Sequence, residues 1–432
     1  MLLLAAEGQA ASLSATADAE PESRFDARLE LSQTLALDDV TSRRVLASEV
    51  RGTLDAGLRS GLELEVDGRL RLGWNEESDD RTQLARLSLG WHGGSGFMLA
   101  AGRMTMPEVA SAQVDGAKIG FSDGPKLSIF GFGGLAPDPL TGEFNTQFIT
   151  AGLGYGSRAR GAEHAGGVAL ALYDGALDRL FVTQRVVAEL GADLRLFARA
   201  VIECLSPEGI AASLSDSPTG SALEKIDVSS GNLRLSYRVS KALDMALDLD
   251  HTHALLPNRF WRDWAQQERE RRGFSIEGDL PVGTRRSLAR LTSNTHLGPV
   301  SPYLVLRGDV RHDDVATAFE AKGGVKLDVP ESGYFDLSYT ERRHFASKNR
   351  LISASGSLDL GSADLELRGS AMWVGVRGSD ESYWLYDAGA TAFVDLTSAI
   401  DGLYTLASYT LFLDPEMTFH VGLVRLGLRI PG

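Results

Sequence analysis

Two histidines, His251 and His253, are separated by one residue and follow Asp248 and Asp250. In an extended chain this spacing puts both imidazoles on one face, as in a metal site. The two aspartates fall on the other face and no third ligand follows, so neither a metal nor a cofactor is expected. Gly131, Gly133 and Gly134, like Gly152, Gly154 and Gly156, are as dense as the glycines of a phosphate loop. No helical pattern follows either cluster, so the anion-binding geometry is missing and these read as strand glycines. Ser408 and His420 lie on adjoining candidate strands and could form the nucleophile and base of a membrane-facing hydrolase. Their facing is ambiguous from sequence. The chain offers no persuasive catalytic set and is not expected to be an enzyme.

Charged side chains recur far more regularly, and their spacing identifies the elements that carry them. Glu63, Glu65, Asp67, Arg69 and Arg71 alternate with Leu62, Leu64, Val66, Gly68, Leu70 and Leu72. This period of two extends along nearly the whole chain, in segments of about a dozen residues joined by short turns, whereas strands of soluble proteins are usually only about 5–6 residues long. Long strands with charge on one face and Leu, Val or Trp on the other are the signature of a transmembrane β-barrel, wet inside and lipid-facing outside. No run of 18 apolar residues occurs to make a spanning helix.

Counting by alternation and turn residues gives 22 candidate strands, the first at 24–37 and the last at 417–430, within a range of roughly 18 to 24. The expected fold is therefore all-β, a single closed antiparallel transmembrane barrel over 24–432. Its longest loops are expected at 205–227 and 253–284. Residues 1–23 read as a signal-peptide remnant or a flexible N-terminal segment: Met1-Leu2-Leu3-Leu4-Ala5-Ala6 resembles the apolar end of a secretory signal but has no preceding Lys or Arg. Short connections such as Ser122-Asp123-Gly124 and Gly361-Ser362 alternate with the longer ones, as barrel parity requires. A formal charge of −15 argues against a nucleic-acid partner. Cys204 is the only cysteine, so no internal disulfide forms.

Hairpin 228–252 shows the two faces most clearly. Leu233, Leu235, Tyr237 and Val239 share a face with Leu243, Met245, Leu247 and Leu249. The opposite face carries Arg234 and Arg238 against Asp244 and Asp248. Arg195 and Arg199, Arg307, Asp309 and Arg311, and Asp364, Glu366 and Arg368 repeat the arrangement. All twelve are expected to line a pore. The arginines read as mid-strand and several of the acids as nearer the periplasmic ends, which predicts a partly basic lumen and a bias toward anions. Within 253–284, Pro257-Asn258 opens a short helical pattern carrying Arg259, Trp261, Arg262 and Trp264. This loop is expected to fold into the lumen as a constriction, or to lie at the outer-leaflet surface.

The pattern resembles the outer-membrane porin superfamily of Gram-negative bacteria. Ala101-Gly102-Arg103 followed by Val114-Asp115-Gly116 looks like the hairpin of alginate-export-type porins. The resemblance implies Arg103 and Asp115 at the lumen or extracellular rim of one hairpin, and passage of small polar solutes or ions through an outer membrane. Lipid, and a homo-oligomer or envelope proteins, would be the partners. The rival expectation is a structural barrel that anchors an envelope-spanning complex and is plugged by its own loops. Two departures stand out. The chain ends Leu428-Arg429-Ile430-Pro431-Gly432 without a terminal aromatic, and no plug-sized segment precedes residue 24, so energy-coupled uptake is not expected.

Overall fold

The structure is a computed structural model. It describes residues 24–38, 44–58, 61–74, 81–124, 126–138, 144–204, 226–253, 285–312, 316–330, 332–344, 347–376, 378–379, 381–415 and 418–431. The alternating segments are strands throughout. They run β1 (Arg24–Asp38), β2 (Arg44–Gly57), β3 (Leu62–Gly73), β4 (Arg81–His92), β5 (Phe97–Met106), β6 (Ala112–Asp123), β7 (Leu127–Leu135) and β8 (Phe148–Ala159). Next come β9 (Ala162–Tyr173), β10 (Ala176–Glu189), β11 (Leu194–Cys204), β12 (Ile226–Ser240), β13 (Leu243–His253), β14 (Arg285–Thr295) and β15 (Val300–Arg311). The last seven are β16 (Ala316–Val329), β17 (Gly333–Arg343), β18 (Ser347–Asp359), β19 (Ala363–Val376), β20 (Ser382–Asp395), β21 (Leu403–Leu413) and β22 (Thr418–Pro431).

Every strand pairs antiparallel with its sequence neighbours, and β22 pairs back onto β1 with Leu29 opposite Leu428 and Leu31 opposite Leu426. Closure leaves no edge along the sheet, which is what lets a sheet sit in hydrocarbon with its backbone hydrogen bonds satisfied. The expected 22 strands and closed barrel are both present. Loop lengths separate the two ends. Connections after even strands run from two residues, as in Arg160-Gly161 between β8 and β9, to seven, Leu396 to Gly402 between β20 and β21. The longest ones, after β7, β11 and β13, all lie at the opposite, long-loop end.

Alternation fixes which face each side chain takes. Leu31, Leu87, Ile119, Ile129, Leu153, Val182, Phe319, Ile352 and Val424 are large, apolar and well exposed. Their register partners around the barrel fall on this same face. Such a continuous apolar belt is disfavoured in water and favoured in lipid, so this face is the outer one and the barrel spans a membrane. No helix among the described residues is long and apolar enough to span.

The closing seam is held from inside by Tyr404 of β21. Its hydroxyl donates to Glu30 Oε1 at 2.7 Å and accepts from Arg28 Nη2 at 2.8 Å. Arg425 of β22 also lies 3.6 Å from Glu30 Oε2. The tyrosine ring crosses β22 directly over Gly427, where a Cβ would penetrate the ring. Gly427→Ala is therefore expected to push Tyr404 off its partners and cost about 1–3 kcal/mol. It should lower the temperature at which the folded band is lost in heat-modifiable gel mobility. Gly422→Ala, where the nearest atom lies 3.9 Å from the added Cβ, serves as the neutral control. Equal melting of the two variants would remove the proposed role of the seam.

Candidate channel lumen

On β12 and β13 the register sets Leu233 against Leu249 and Leu235 against Leu247 on the outer face. Inward, Arg234 faces Asp248 and Arg238 faces Asp244. The ion pairs are 3.5 Å (Arg234 Nε to Asp248 Oδ1) and 3.4 Å (Arg238 Nε to Asp244 Oδ1). His296 Nε2 also approaches Asp244 Oδ2, at 3.0 Å. On β15, Asp309 is buried under two arginines. Arg286 Nε of β14 donates to it at 2.8 Å, and Arg307 Nη2 stands 3.6 Å away.

The positions expected to line the pore all share the inward parity: Arg195 and Arg199 on β11, Arg234 and Arg238 on β12, Asp244 and Asp248 on β13, Arg307, Asp309 and Arg311 on β15, and Asp364, Glu366 and Arg368 on β19. Their heights need correction. Arg199, Arg234, Arg307 and Arg368 are mid-strand, but Arg195 is the second residue of β11, Arg238 lies two before the end of β12 and Arg311 ends β15. Arg195 and Arg238 therefore sit at the short-turn end and Arg311 at the long-loop end. Period two fixes a side chain's face but not its height, which depends on how neighbouring strands are staggered.

Register adds cations that alternation did not single out. Arg185 of β10 lies directly opposite Arg199, and Arg290 of β14 directly opposite Arg307. Like charges opposed in a sheet destabilise one another by up to about 1 kcal/mol. Among the described residues Arg185, Arg199 and Arg290 make no ion pair. Lys322 of β16 instead lies over the Tyr303 ring, 5.4 Å from its centroid. Arg234, Asp248, Arg290, Arg307, Glu320 and Lys322 line one groove of about 760 Å³ on the inner wall. Glu320 is itself bound by Arg342, whose Nε donates at 2.6 Å. The sector from β10 to β16 thus presents more cations than acids at mid-height.

A second inward feature comes from an unexpected place. The β4–β5 register stops at Leu87 opposite Arg103, and the β6–β7 register stops at Asp115 opposite Leu135. Beyond those pairs the tip of the β5–β6 hairpin leaves both neighbours and turns inward. Gly102 makes the bend with φ +122, at a point where a Cβ would collide with the Leu87 carbonyl. Arg103 clamps the hinge, donating Nε to Asp115 Oδ1 at 2.6 Å and Nη1 to the Leu84 carbonyl at 2.7 Å. The tip residues Met104, Met106, Val109 and Val114 pack with Phe130, Phe132, Ala169, Phe181 and Val201 on the inner wall. Val109 is fully buried, with its Cγ2 2.8 Å from where a Gly167 Cβ would lie. The glycines of β8 and β9 leave the room that the tip and Phe130 fill. The inner faces of β5 and β7 are largely apolar as a result, a departure from alternation that is visible in the sequence.

Arg259, Trp261, Arg262 and Trp264, the expected constriction, lie outside the described residues. His251 points outward, its Nδ1 2.9 Å from Ser287 Oγ, and Ser287 Oγ is 2.8 Å from His312 Nε2. No group of three or more metal-ligating side chains forms among the described residues. Ser408 faces inward, whereas His420 bonds the outward Tyr409 hydroxyl at 2.5 Å, so the two cannot act as a pair.

No family model and no curated protein matches the sequence. Among solved structures, Pseudomonas aeruginosa OccK3 (OpdO) is 11% identical with a TM-score of 0.49, over 94% of this chain and 96% of that one. Acinetobacter baumannii OccAB4 is 8% identical with a TM-score of 0.48, over 96% and 99%. The outer membrane protein opdK from Pseudomonas aeruginosa is 10% identical with a TM-score of 0.47, over 94% and 99%. At such identities and scores the likeness carries no residue or activity from those chains to this one.

Proposed function

We propose that the barrel is a porin-like channel of a bacterial outer membrane, passing small polar solutes or ions, with the long-loop end extracellular and both chain ends periplasmic. One observation supports this above the rest. A closed wall is apolar outside and, from β10 to β16, lined inside by charged residues around a groove of about 760 Å³. Fixed charges in a wet lumen bias which solutes enter. The excess of inward arginine at mid-height favours anions and acidic solutes, because guanidinium keeps its charge at any working pH. Purified protein in planar bilayers is expected to give discrete conductance steps. A persistently silent barrel would sink this reading.

The second reading is a structural barrel anchoring an envelope complex and plugged by its own loops. The apolar docking of the β5–β6 tip inside the lumen favours it. Silence that persists after the tip is released would support that scaffold.

A further inference from the structure

On the outer face, three cations of the long-loop rim gather on β16–β18. Leu72, Leu84, Ile149, Leu170, Val228 and Leu413 are outward, apolar and exposed toward that rim on other strands, and Arg285 of β14 stands outward opposite His253. On β16–β18, register instead aligns Phe319, Arg343 and Lys348 in one cross-strand row. The row below it sets Arg350 against Trp373 of β19, with the guanidinium carbon 5.5 Å from the ring centroid. Glu341 lies between the cations, 3.9 Å from Arg343 Nη2 and 3.5 Å from Lys348 Nζ. Glu381 lines the adjoining groove as well, so three cations meet two acids. A rim groove of about 710 Å³ runs past Phe319, Arg343, Lys348 and Trp373. Ile352 and Leu337 continue the outer face below as bare apolar wall.

Arg343, Lys348 and Arg350 are gathered on two adjacent strands above an aromatic step, at the height where headgroups meet acyl chains. Two guanidiniums and an ammonium match the oxygens of a phosphate, arginine in two-pronged fashion. We propose that this sector is a binding site for a phosphorylated lipid of the outer leaflet. The phosphates sit among Arg343, Lys348 and Arg350, and the acyl chains lie along Phe319, Leu337 and Ile352. The site rests on the membrane placement and orientation above but not on conduction, so a silent barrel would leave it intact.

Native mass spectrometry of the whole protein in detergent tests it, with bis-phosphorylated lipid A, the same lipid stripped of phosphate, and inorganic phosphate as probes. Near an anionic surface each cation contributes about fivefold in affinity, so the three together are worth roughly a hundredfold. The phosphorylated lipid should remain bound to the native chain, and binding should fall by about that factor in an Arg343→Gln, Lys348→Gln, Arg350→Gln variant. Unchanged heat-modifiable mobility establishes that this variant is folded, and Arg199→Gln in the lumen should bind as the native chain does. Lys348→Gln alone, the mildest change, should give an intermediate loss. Equal binding of the two lipids, equal binding by the triple variant, or full occupancy by inorganic phosphate alone would each overturn the proposal.

Discussion

Replacing Arg199 and Arg290 together by glutamate is expected to change the sign of the reversal potential across a salt gradient. Both side chains face inward at mid-strand, each opposite another arginine, and neither has an acid within ion-pair distance among the described residues. Arg199 is opposite Asn232 on its other side and Arg290 opposite Asp248, which is already paired with Arg234. Both are therefore less compensated than Arg234 and Arg238, which are held by Asp248 and Asp244. The native channel should favour anions at low salt. The double variant should favour cations. Arg234→Ala with Arg238→Ala should move selectivity the same way but less far, by uncovering two aspartates that their partners now mask. All these differences should shrink as salt rises, because the field reaches about 30 Å at 0.01 M and only about 3 Å at 1 M. Clear cation selectivity in the native channel, untouched by either pair of substitutions, would mean that the inward faces do not govern permeation.

Val109→Asp should release the β5–β6 tip and raise single-channel conductance severalfold while the barrel stays closed. Val109 is wholly buried in the apolar cluster that docks the tip. An unpaired carboxylate there costs several kcal/mol. That is enough to undock a tip that shares no strand register with β4 or β7 beyond Arg103 and Asp115. The wall below the hinge, including the ladder from Phe97 to Arg103 against β6, does not depend on the tip's position. Heat-modifiable mobility should therefore be retained. Val109→Ala keeps the cluster apolar and should leave conductance near the native value. If Val109→Asp conducts like the native chain, the tip does not lie in the solute path.

Much of the molecule was legible before any coordinates. Alternation is a local property, since successive side chains must point to opposite faces of an extended chain. The run from Leu62 to Gly73 therefore announced its strand, its charged face and its lipid face at once. Connection lengths then favoured 22 strands within roughly 18 to 24, because a closed antiparallel barrel must return each strand to the opposite rim. The facing of the twelve charged positions came from the same rule.

The sequence by itself thus determined the all-β barrel, a count of 22 strands within roughly 18 to 24, and, outside β5–β8, which side of each strand is polar. Only the tertiary structure decided what those sides build. Arg185 and Arg199 meet, and Arg290 meets Arg307, because of register between strands, which no single strand encodes. The heights of Arg195, Arg238 and Arg311 depend on the stagger of neighbouring staves rather than on period. The inward β5–β6 tip needs Phe130 and Phe181 and the space above Gly154 and Gly167, contributed by strands far along the chain. Ser408 and His420, adjoining in sequence order, prove to face opposite sides of the wall. Local alternation chooses between two faces; long-range packing and register choose neighbours and height.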